Sequence, residues 1–338
     1  MKKNKIKDTG LEVTELSFGT SSLGSMPDTY GYEVPEQRAQ ETLKRFFQGP
    51  VNMLDTSRNY AMGESEKRIG IAIKENKGWP ENFILSTKID RNMDTLVLDK
   101  KRTRESIEES LKTLNVDSVD ILFLHDPEYV KDLNDVTKKD GALDELFKIK
   151  EEGLAKAVGL AMGKINIMFP LLKNWDFDVI INHNRYTLLN READEMYSYA
   201  HSKNISIFNA APYAGGVLAK GPSNFKKITY QDVTEEKLAP AREIEKVCKK
   251  YNVEMGAAAL QFSMKDKRIT STLCGVTSIQ SIEKNLSWAK TRIPEQDNVS
   301  DNDIAFLMIA VCRYNRAPVV ALHFATHSMR MFSTYMSR

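Results

Sequence analysis

Eight short apolar runs recur along the chain, and the segment between each run and the next is long enough for one helix. Because the runs are nearly continuous in apolar character, they are typical of parallel strands that helices cover on both faces. The runs are LSFGTSSL from Leu16, VNMLDTS from Val51, FILSTKI from Phe83, VDILFLHD from Val119, AKAVGLA from Ala155, DVIINHNRY from Asp178, ISIFNAAPY from Ile205 and ITSTLCGV from Ile269.

The segments between these runs place apolar residues at helical spacing, as Ile107, Leu111 and Leu114 illustrate. Strands and helices that alternate in one unbroken rhythm favour a closed (β/α)8 TIM barrel over a doubly wound sheet. No Pro/Gly/Ser-rich linker divides the chain. The pattern therefore predicts one domain over residues 1–338.

Two regions lie outside this alternation. Residues 3–14, KNKIKDTGLEVT, alternate in polarity on either side of a DTG turn, which predicts an N-terminal hairpin. Residues 301–338 form an apolar, methionine-containing segment, which predicts a C-terminal helical extension packed on the barrel. Pro318 would interrupt any single long helix there.

Composition narrows the class of partner. Forty-eight Lys+Arg against 46 Asp+Glu give a formal charge of +2, so no strong field draws nucleic acid or an anionic membrane. Cys248, Cys274 and Cys312 are too widely spaced for a disulfide framework or a metal site. The N-terminal segment lacks the apolar run of a secretion signal, and no apolar run reaches the ~18 residues of a membrane helix. We therefore expect a soluble, cytoplasmic protein that binds small molecules.

Four polar residues fall at the ends of three successive predicted strands, where the active site of an α/β barrel lies. Asp55 ends the second strand and Tyr60 follows it, while Lys88 and His125 end the third and fourth strands. Each residue alone has an ordinary structural explanation, such as a turn or core packing. The four together, at these strand ends, predict a proton-transfer site.

The chemistry of the four side chains is complementary. A tyrosine with an unperturbed pKa of ~10 is a poor proton donor near neutrality unless a cation stabilises its phenolate, and Lys88 supplies that cation. Asp55 is expected to pair with Lys88 and keep it protonated. His125 is expected to offer a ring N–H to the substrate oxygen.

The segment DTSRNYAMGESEKRIG resembles the signature of the aldo-keto reductase family, and STK and LFLH resemble that family's lysine and histidine segments. The similarity extends from LEVTELSFGTSSLG to IEKNLSW. The resemblance implies that the hairpin plugs the bottom of the barrel and that Tyr60 is the general acid/base. It also implies that NAD(P)H binds across the strand ends.

No GxGxxG motif follows the first strand, and the resemblance implies cofactor contacts from several loops instead. The segment NAAPYAGGVLAKG resembles the family's pyrophosphate-covering loop, and LCGVTSIQSIEKNL resembles its adenosine-phosphate site. The implied cofactor contacts are Gly19, Thr20, Asp55, His183, Pro212, Gly215, Gly216, Leu218, Gly275, Thr277, Ser281 and Asn285.

The chain departs from the family pattern at several cofactor positions. Gly275 and Ser281 stand where several relatives have a lysine and an arginine that bind the 2′-phosphate of NADP, which allows NAD as the cofactor and leaves the preference open. Other departures are Ala161 and Met162 for a Ser-Asn pair, His183 for a glutamine, and Ala210 for a stacking tyrosine that Phe208 or Tyr213 could replace.

The segments NAAPYAGGVL and NRYTLLNREAD resemble the aldose 1-dehydrogenase branch, which oxidises sugars such as fucose, galactose or arabinose, more than they resemble the classical aldehyde reductases. We therefore predict hydride transfer between NAD(P)(H) and a carbonyl or hydroxyl carbon of an aldehyde, ketone or aldose. One alternative is a redox-sensing regulatory subunit resembling potassium-channel β subunits, and another is a barrel that has lost its cofactor. Substrate, direction and oligomeric state stay open.

Overall fold

A computed structural model describes residues 1–294 of the chain. The strands are β1 (Lys3–Lys5), β2 (Glu12–Thr14), β3 (Leu16–Gly19), β4 (Met53–Asp55), β5 (Ile84–Ile89), β6 (Val119–His125), β7 (Ala155–Met162), β8 (Val179–His183), β9 (Ser206–Ala210), β10 (Lys227–Ile228), β11 (Gln231–Asp232) and β12 (Ser271–Gly275). The α-helices are α1 (Pro27–Tyr30), α2 (Glu36–Phe47), α3 (Glu64–Glu75), α4 (Lys100–Leu114), α5 (Leu133–Thr137), α6 (Ala142–Glu151), α7 (Ile165–Asn174), α8 (Asp194–Ser202), α9 (Val217–Lys220), α10 (Glu235–Lys250), α11 (Met255–Met264) and α12 (Ile279–Lys290).

Eight parallel strands close into a barrel in the order β12-β3-β4-β5-β6-β7-β8-β9. Closure is visible at Gly19, which pairs with Asp55 on one side and with Gly275 on the other. Seven barrel strands lie within their apolar runs and β7 extends one residue beyond its run, so the predicted (β/α)8 barrel is confirmed and the doubly wound sheet is excluded. The predicted C-terminal extension, residues 301–338, lies outside the described residues.

The core has two layers because successive side chains of a strand point to opposite faces. On β6, Leu122 and Leu124 pack outward against the surrounding helices, while Ile121 and Phe123 fill the barrel interior. Both layers are apolar, which explains why the strand runs lack a polar alternation.

The N-terminal hairpin closes the bottom of the barrel, as predicted. Strands β1 and β2 pair antiparallel, and the fully buried Ile6 and Val13 join the interior apolar cluster. The Asn4 amide donates to the carbonyl oxygen of Thr270, just before β12, at 2.8 Å. The carboxyl ends of the strands lie at the opposite end of the barrel.

Two further expectations concern the whole chain. Within residues 1–294, the helices are all too short or too polar to cross a membrane. Cys248 and Cys274 are buried and form no disulfide, and Cys312 lies outside the described residues.

Candidate active site

Asp55 and Lys88 form a buried ion pair at the carboxyl ends of β4 and β5. The register pairs Asp55 with Ser86, so Lys88 lies two residues further along the neighbouring strand. The Lys88 ammonium donates to Asp55 Oδ2 at 2.7 Å and to the carbonyl oxygen of Thr56 at 2.6 Å, and the Ser86 hydroxyl donates to Asp55 Oδ1 at 2.7 Å. The side chains of Lys88 and Asp55 are 1% and 3% exposed, so the charge of each depends on the other for compensation.

Tyr60 lies above this pair. It begins a short 3-10 helix after β4, and the Lys88 ammonium is 4.6 Å from the centroid of its ring. The His125 ring meets the Tyr60 ring edge to face, with centroids 5.8 Å apart. The four residues named from the sequence therefore share one site.

The pKa of Tyr60 differs from the sequence expectation. We expected Lys88 to lower it, but burial, followed by the nearby Asp55 carboxylate, raises the pKa of Tyr60 well above its usual value. The Lys88 ammonium is already neutralised by Asp55 and lies against the ring. The phenol is therefore protonated at neutral pH, which is the state that a proton donor requires.

Asp90 is a residue of this site that the sequence reasoning missed. It follows β5 directly, is fully buried, and places Oδ1 2.6 Å from His125 Nδ1. The Ser57 hydroxyl and the Asn59 backbone N–H donate to its Oδ2 at 2.5 and 3.0 Å. A carboxylate directly after an apolar strand was the available signal, because burying an unpaired charge is costly.

The contact with Asp90 decides what His125 can donate. A neutral imidazole that donates from Nδ1 has only a lone pair at Nε2, whereas an imidazolium donates from both nitrogens. Burial acts to lower the pKa of His125, but the carboxylates of Asp126 and Asp90 outweigh it and raise the pKa above its ordinary value. His125 therefore offers an N–H to the cavity when it is charged.

We expect Asp90→Asn to move the high-pH limb of the reductive rate toward lower pH by about 1 unit or more. The substitution removes a charge that favours the imidazolium, so His125 loses its proton earlier. Profiles of kcat/KM against pH measure the shift. Asp94→Asn, in the exposed part of the same loop, is the matched control.

The same pair makes a pH-dependent contribution to folding. Because the pKa of His125 is raised in the folded protein, its stabilisation is full below about pH 6.5 and is lost as the pH rises through the folded-state value. If the high-pH limb of kcat/KM were identical in the Asp90→Asn variant and the wild-type protein, Asp90 would not control the protonation of His125.

A cavity of about 730 Å³ opens above these residues. Tyr60, Lys88 and His125 line one part of it, and the first two turns of α12 line another, through Ser281 and Asn285. The cavity therefore extends from Tyr60, Lys88 and His125 to the N-terminal end of α12.

The sequence profile of the Aldo/keto reductase family matches residues 15–301. The chain belongs to this family. L-Galactose dehydrogenase of Arabidopsis thaliana is 30% identical over 284 residues, which are 83% of this chain and 85% of that protein. D-threo-Aldose 1-dehydrogenase of a Pseudomonas species is 26% identical over 311 residues, which are 84% of this chain and 92% of that protein.

Solved structures agree with the fold. The holo form of aldo-keto reductase AKR11C1 from Bacillus halodurans superposes with a TM-score of 0.72 at 20% identity, over 92% of this chain and 96% of that chain. NAD(P)H is the cofactor of aldo-keto reductases.

Most of the predicted cofactor contacts line the cavity of this aldo-keto reductase. They are Gly19, Asp55, His183, Gly215, Gly216, Gly275, Thr277, Ser281 and Asn285. Thr20, Pro212 and Leu218 are buried and do not line it. The Thr20 hydroxyl donates to the carbonyl oxygen of Asp55 at 2.9 Å, and Leu218 packs in an apolar cluster beside the barrel, so their side chains serve the fold.

Small residues keep the loop after β9 close to the cavity. Gly215 and Gly216 have φ angles of +76° and +117°, which L side chains rarely adopt. A Cβ atom at Gly215 would also approach the backbone nitrogens of Tyr230 and Thr229 at 2.7 and 2.8 Å. Gly215 and Gly216 therefore expose backbone to a cavity of about 730 Å³, a size within the range of cofactor pockets.

The start of α12 is closed by its own side chains. The Ser278 hydroxyl accepts from the Ser281 N–H at 3.1 Å, and the Ser281 hydroxyl accepts from the N–H groups of Thr277 and Ser278 at 3.0 Å. Such a capping box satisfies N–H groups that would otherwise be free to bind an anion. The cavity-lining Lys284 pairs with Glu254 at 2.6 Å, which offsets its charge.

Phe208 and Tyr213, the two residues that could replace the family's stacking tyrosine, lie in different parts of the barrel. Phe208 is fully buried inside the barrel against Phe123, so it does not replace the stacking tyrosine. Tyr213 does line the cavity, and its hydroxyl donates to Asn285 Oδ1 at 2.5 Å, beside α12. Burial lowers the pKa of His183 to about 4, so this cavity residue is neutral at physiological pH.

Proposed function

We propose that this protein transfers a hydride between NAD(P)(H) and a carbonyl or hydroxyl carbon of an aldehyde, ketone or aldose, with Tyr60 as the general acid/base. One observation carries the proposal. The protonated Tyr60 phenol lies against a fully buried lysine ammonium, with His125 at its edge, and all three line a cavity that can hold a dinucleotide.

In the reductive direction, the substrate oxygen is proposed to accept hydrogen bonds from the Tyr60 hydroxyl and from His125 Nε2. NAD(P)H supplies the hydride when it is bound. Tyr60 then gives its proton to the oxygen, and the Lys88 ammonium stabilises the phenolate that forms. Asp55 keeps Lys88 in place. In oxidation the phenolate takes the hydroxyl proton back.

An aldose is the substrate class that we propose. The reactive part of the cavity is lined by Asn59, Arg91, Asp126 and His183, which offer hydrogen-bond donors and acceptors to a molecule with several hydroxyl groups. The similarity to two sugar dehydrogenases supports the same class. These comparisons do not favour a regulatory subunit resembling potassium-channel β subunits.

Steady-state turnover with a panel of aldehydes, ketones and free aldoses tests the proposal. Both NADH and NADPH oxidation, and the reverse reactions, are followed by the absorbance of the reduced nicotinamide. We expect turnover with at least one aldose. Absence of turnover throughout the panel, with nucleotide still bound, would contradict an enzymatic role.

NAD is the cofactor that we propose over NADP. At the start of α12 the capping box uses the Ser281 hydroxyl, and Glu254 offsets the charge of Lys284, so neither residue offers an unpaired cation to a 2′-phosphate. Position 275, where relatives have a lysine, is a glycine.

The double variant Gly275→Lys with Glu254→Gln is expected to raise the affinity for NADPH relative to NADH by about 10–100-fold, since hydrogen bonds to charged groups contribute about 1.5–3 kcal/mol each. Position 275 has room, because its Cβ would meet only the Ser22 hydroxyl, at 3.9 Å. Fluorescence titration with both nucleotides measures the ratio. Glu236→Gln, at an exposed position of α10, is the control. An unchanged ratio of the NADPH and NADH affinities would show that the 2′-phosphate binds away from position 275.

A further inference from the structure

Asp126 is the first residue after β6 and follows His125 directly. Its backbone is left-handed, with φ 44° and ψ 49°, and its N–H donates to the carbonyl oxygen of Ala161 at 2.9 Å. Few residues other than glycine adopt this conformation, although aspartate is among those that tolerate it, and such residues concentrate at functional sites. The turn keeps the Asp126 side chain at the cavity, beside the histidine.

The Asp126 carboxylate accepts no hydrogen bond within residues 1–294. Its Oδ1 is buried without a partner, and its Oδ2 lies 3.7 Å from His125 Nε2, which is beyond hydrogen-bond distance. The side chain is 23% exposed, so part of it is open to the cavity. A protonated His125 compensates part of the Asp126 charge, but Oδ1 stays without a donor, and a bound hydroxyl group would offset the cost of burying it.

The surroundings restrict the donor that fits. A neutral hydroxyl can donate to Asp126 without placing a further positive charge beside Arg91, which also lines this part of the cavity. His125 Nε2 is the atom proposed to bind the reacting oxygen. An oxygen bonded to Nε2 and a hydroxyl bonded to Oδ2, each at about 2.8 Å, can lie on neighbouring carbons of one molecule.

We infer that Asp126 accepts a hydrogen bond from the substrate hydroxyl on the carbon next to the reacting carbon, and so selects 2-hydroxyaldehydes and aldoses over their 2-deoxy counterparts. The inference rests on the proposed function. It adds a specificity-determining residue that the sequence resemblance did not include.

Matched substrate pairs test the inference. Glycolaldehyde is compared with acetaldehyde, and glyceraldehyde with propanal, by kcat/KM in the reductive direction. The 2-hydroxy member is preferred by the wild-type protein, and Asp126→Ala lowers the preference by about 10–100-fold, as expected for loss of a hydrogen bond to a charged group. Asp126→Asn, which keeps a neutral acceptor, falls between the two.

The ratio separates recognition from the electrostatic effect of Asp126 on His125, because both members of a pair use His125 and would slow equally. Asp117→Asn makes the same chemical change at an exposed position two residues before β6 and leaves the ratio unchanged. Thermal unfolding and nucleotide titration verify that each variant folds.

Two negative results are distinguishable. Turnover without a 2-hydroxy preference in the wild-type protein, or with a preference that neither Asp126 variant alters, overturns this inference and leaves the proposed function intact. No turnover with any carbonyl compound or aldose overturns both.

Discussion

Tyr60→Phe is expected to lower kcat by about 10²–10⁴-fold, the range that proton transfer by a positioned side chain contributes. The substitution removes only the hydroxyl group, so the ring keeps its contacts with Lys88 and His125. Nucleotide affinity should therefore change little. Steady-state rates with the best substrate of the panel, together with fluorescence titration of NADH, measure the two quantities separately.

The raised pKa of Tyr60 adds a second expectation for the wild-type protein. Because the phenol keeps its proton well above neutral pH, the loss of reductive rate between neutral and mildly alkaline pH should follow the deprotonation of His125 and not that of Tyr60.

Tyr199→Phe, on α8 and outside the cavity, is the control for the Tyr60→Phe variant. A Tyr60→Phe variant with the wild-type rate would show that another group donates the proton.

Lys88→Met is expected to reduce the free energy of unfolding by about 3–5 kcal/mol and to abolish turnover. The stability loss has a physical cause in Asp55, whose carboxylate would stay buried without its cation. Turnover is lost because the phenolate of Tyr60 would no longer be stabilised. Urea unfolding measures the first effect and steady-state kinetics the second.

A second substitution separates the two effects. Asp55→Asn in the Lys88→Met background removes the uncompensated charge, so most of the stability should return while turnover stays absent. Lys156→Met removes an exposed lysine of β7 that pairs with Asp120 of β6, and should cost only about 0–1 kcal/mol because the Leu85 N–H still donates to Asp120. Turnover in the double variant would show that Lys88 is dispensable for the chemistry.

Part of the site was predictable because its residues follow local rules. Asp55, Lys88 and His125 end three successive strands, and parallel strands bring their carboxyl ends to one end of a barrel. The ion pair between Asp55 and Lys88 was also predictable, since a lysine ammonium at the end of an apolar strand requires a nearby carboxylate.

Other parts depended on contacts that no spacing in the sequence specifies. The carboxylates Asp90 and Asp126 lie next to residues that were singled out, yet their roles follow from which histidine nitrogen each one approaches. The capping box at Ser281 likewise depends on the rotamers of two serines. The expected lowering of the Tyr60 pKa was wrong because desolvation and Asp55 together outweigh an ammonium that is already paired.

The amino-acid sequence alone determined the eight strands, the hairpin beneath them and the strand ends that carry the proton-transfer residues, because hydrophobic periodicity and strand order are local properties. The tertiary structure alone decided the directions in which the pKa values of Tyr60 and His125 shift, and it left Asp126 Oδ1 without a donor. These properties arise from burial and from distances of a few ångströms between segments far apart in the chain, which only the folded barrel brings together.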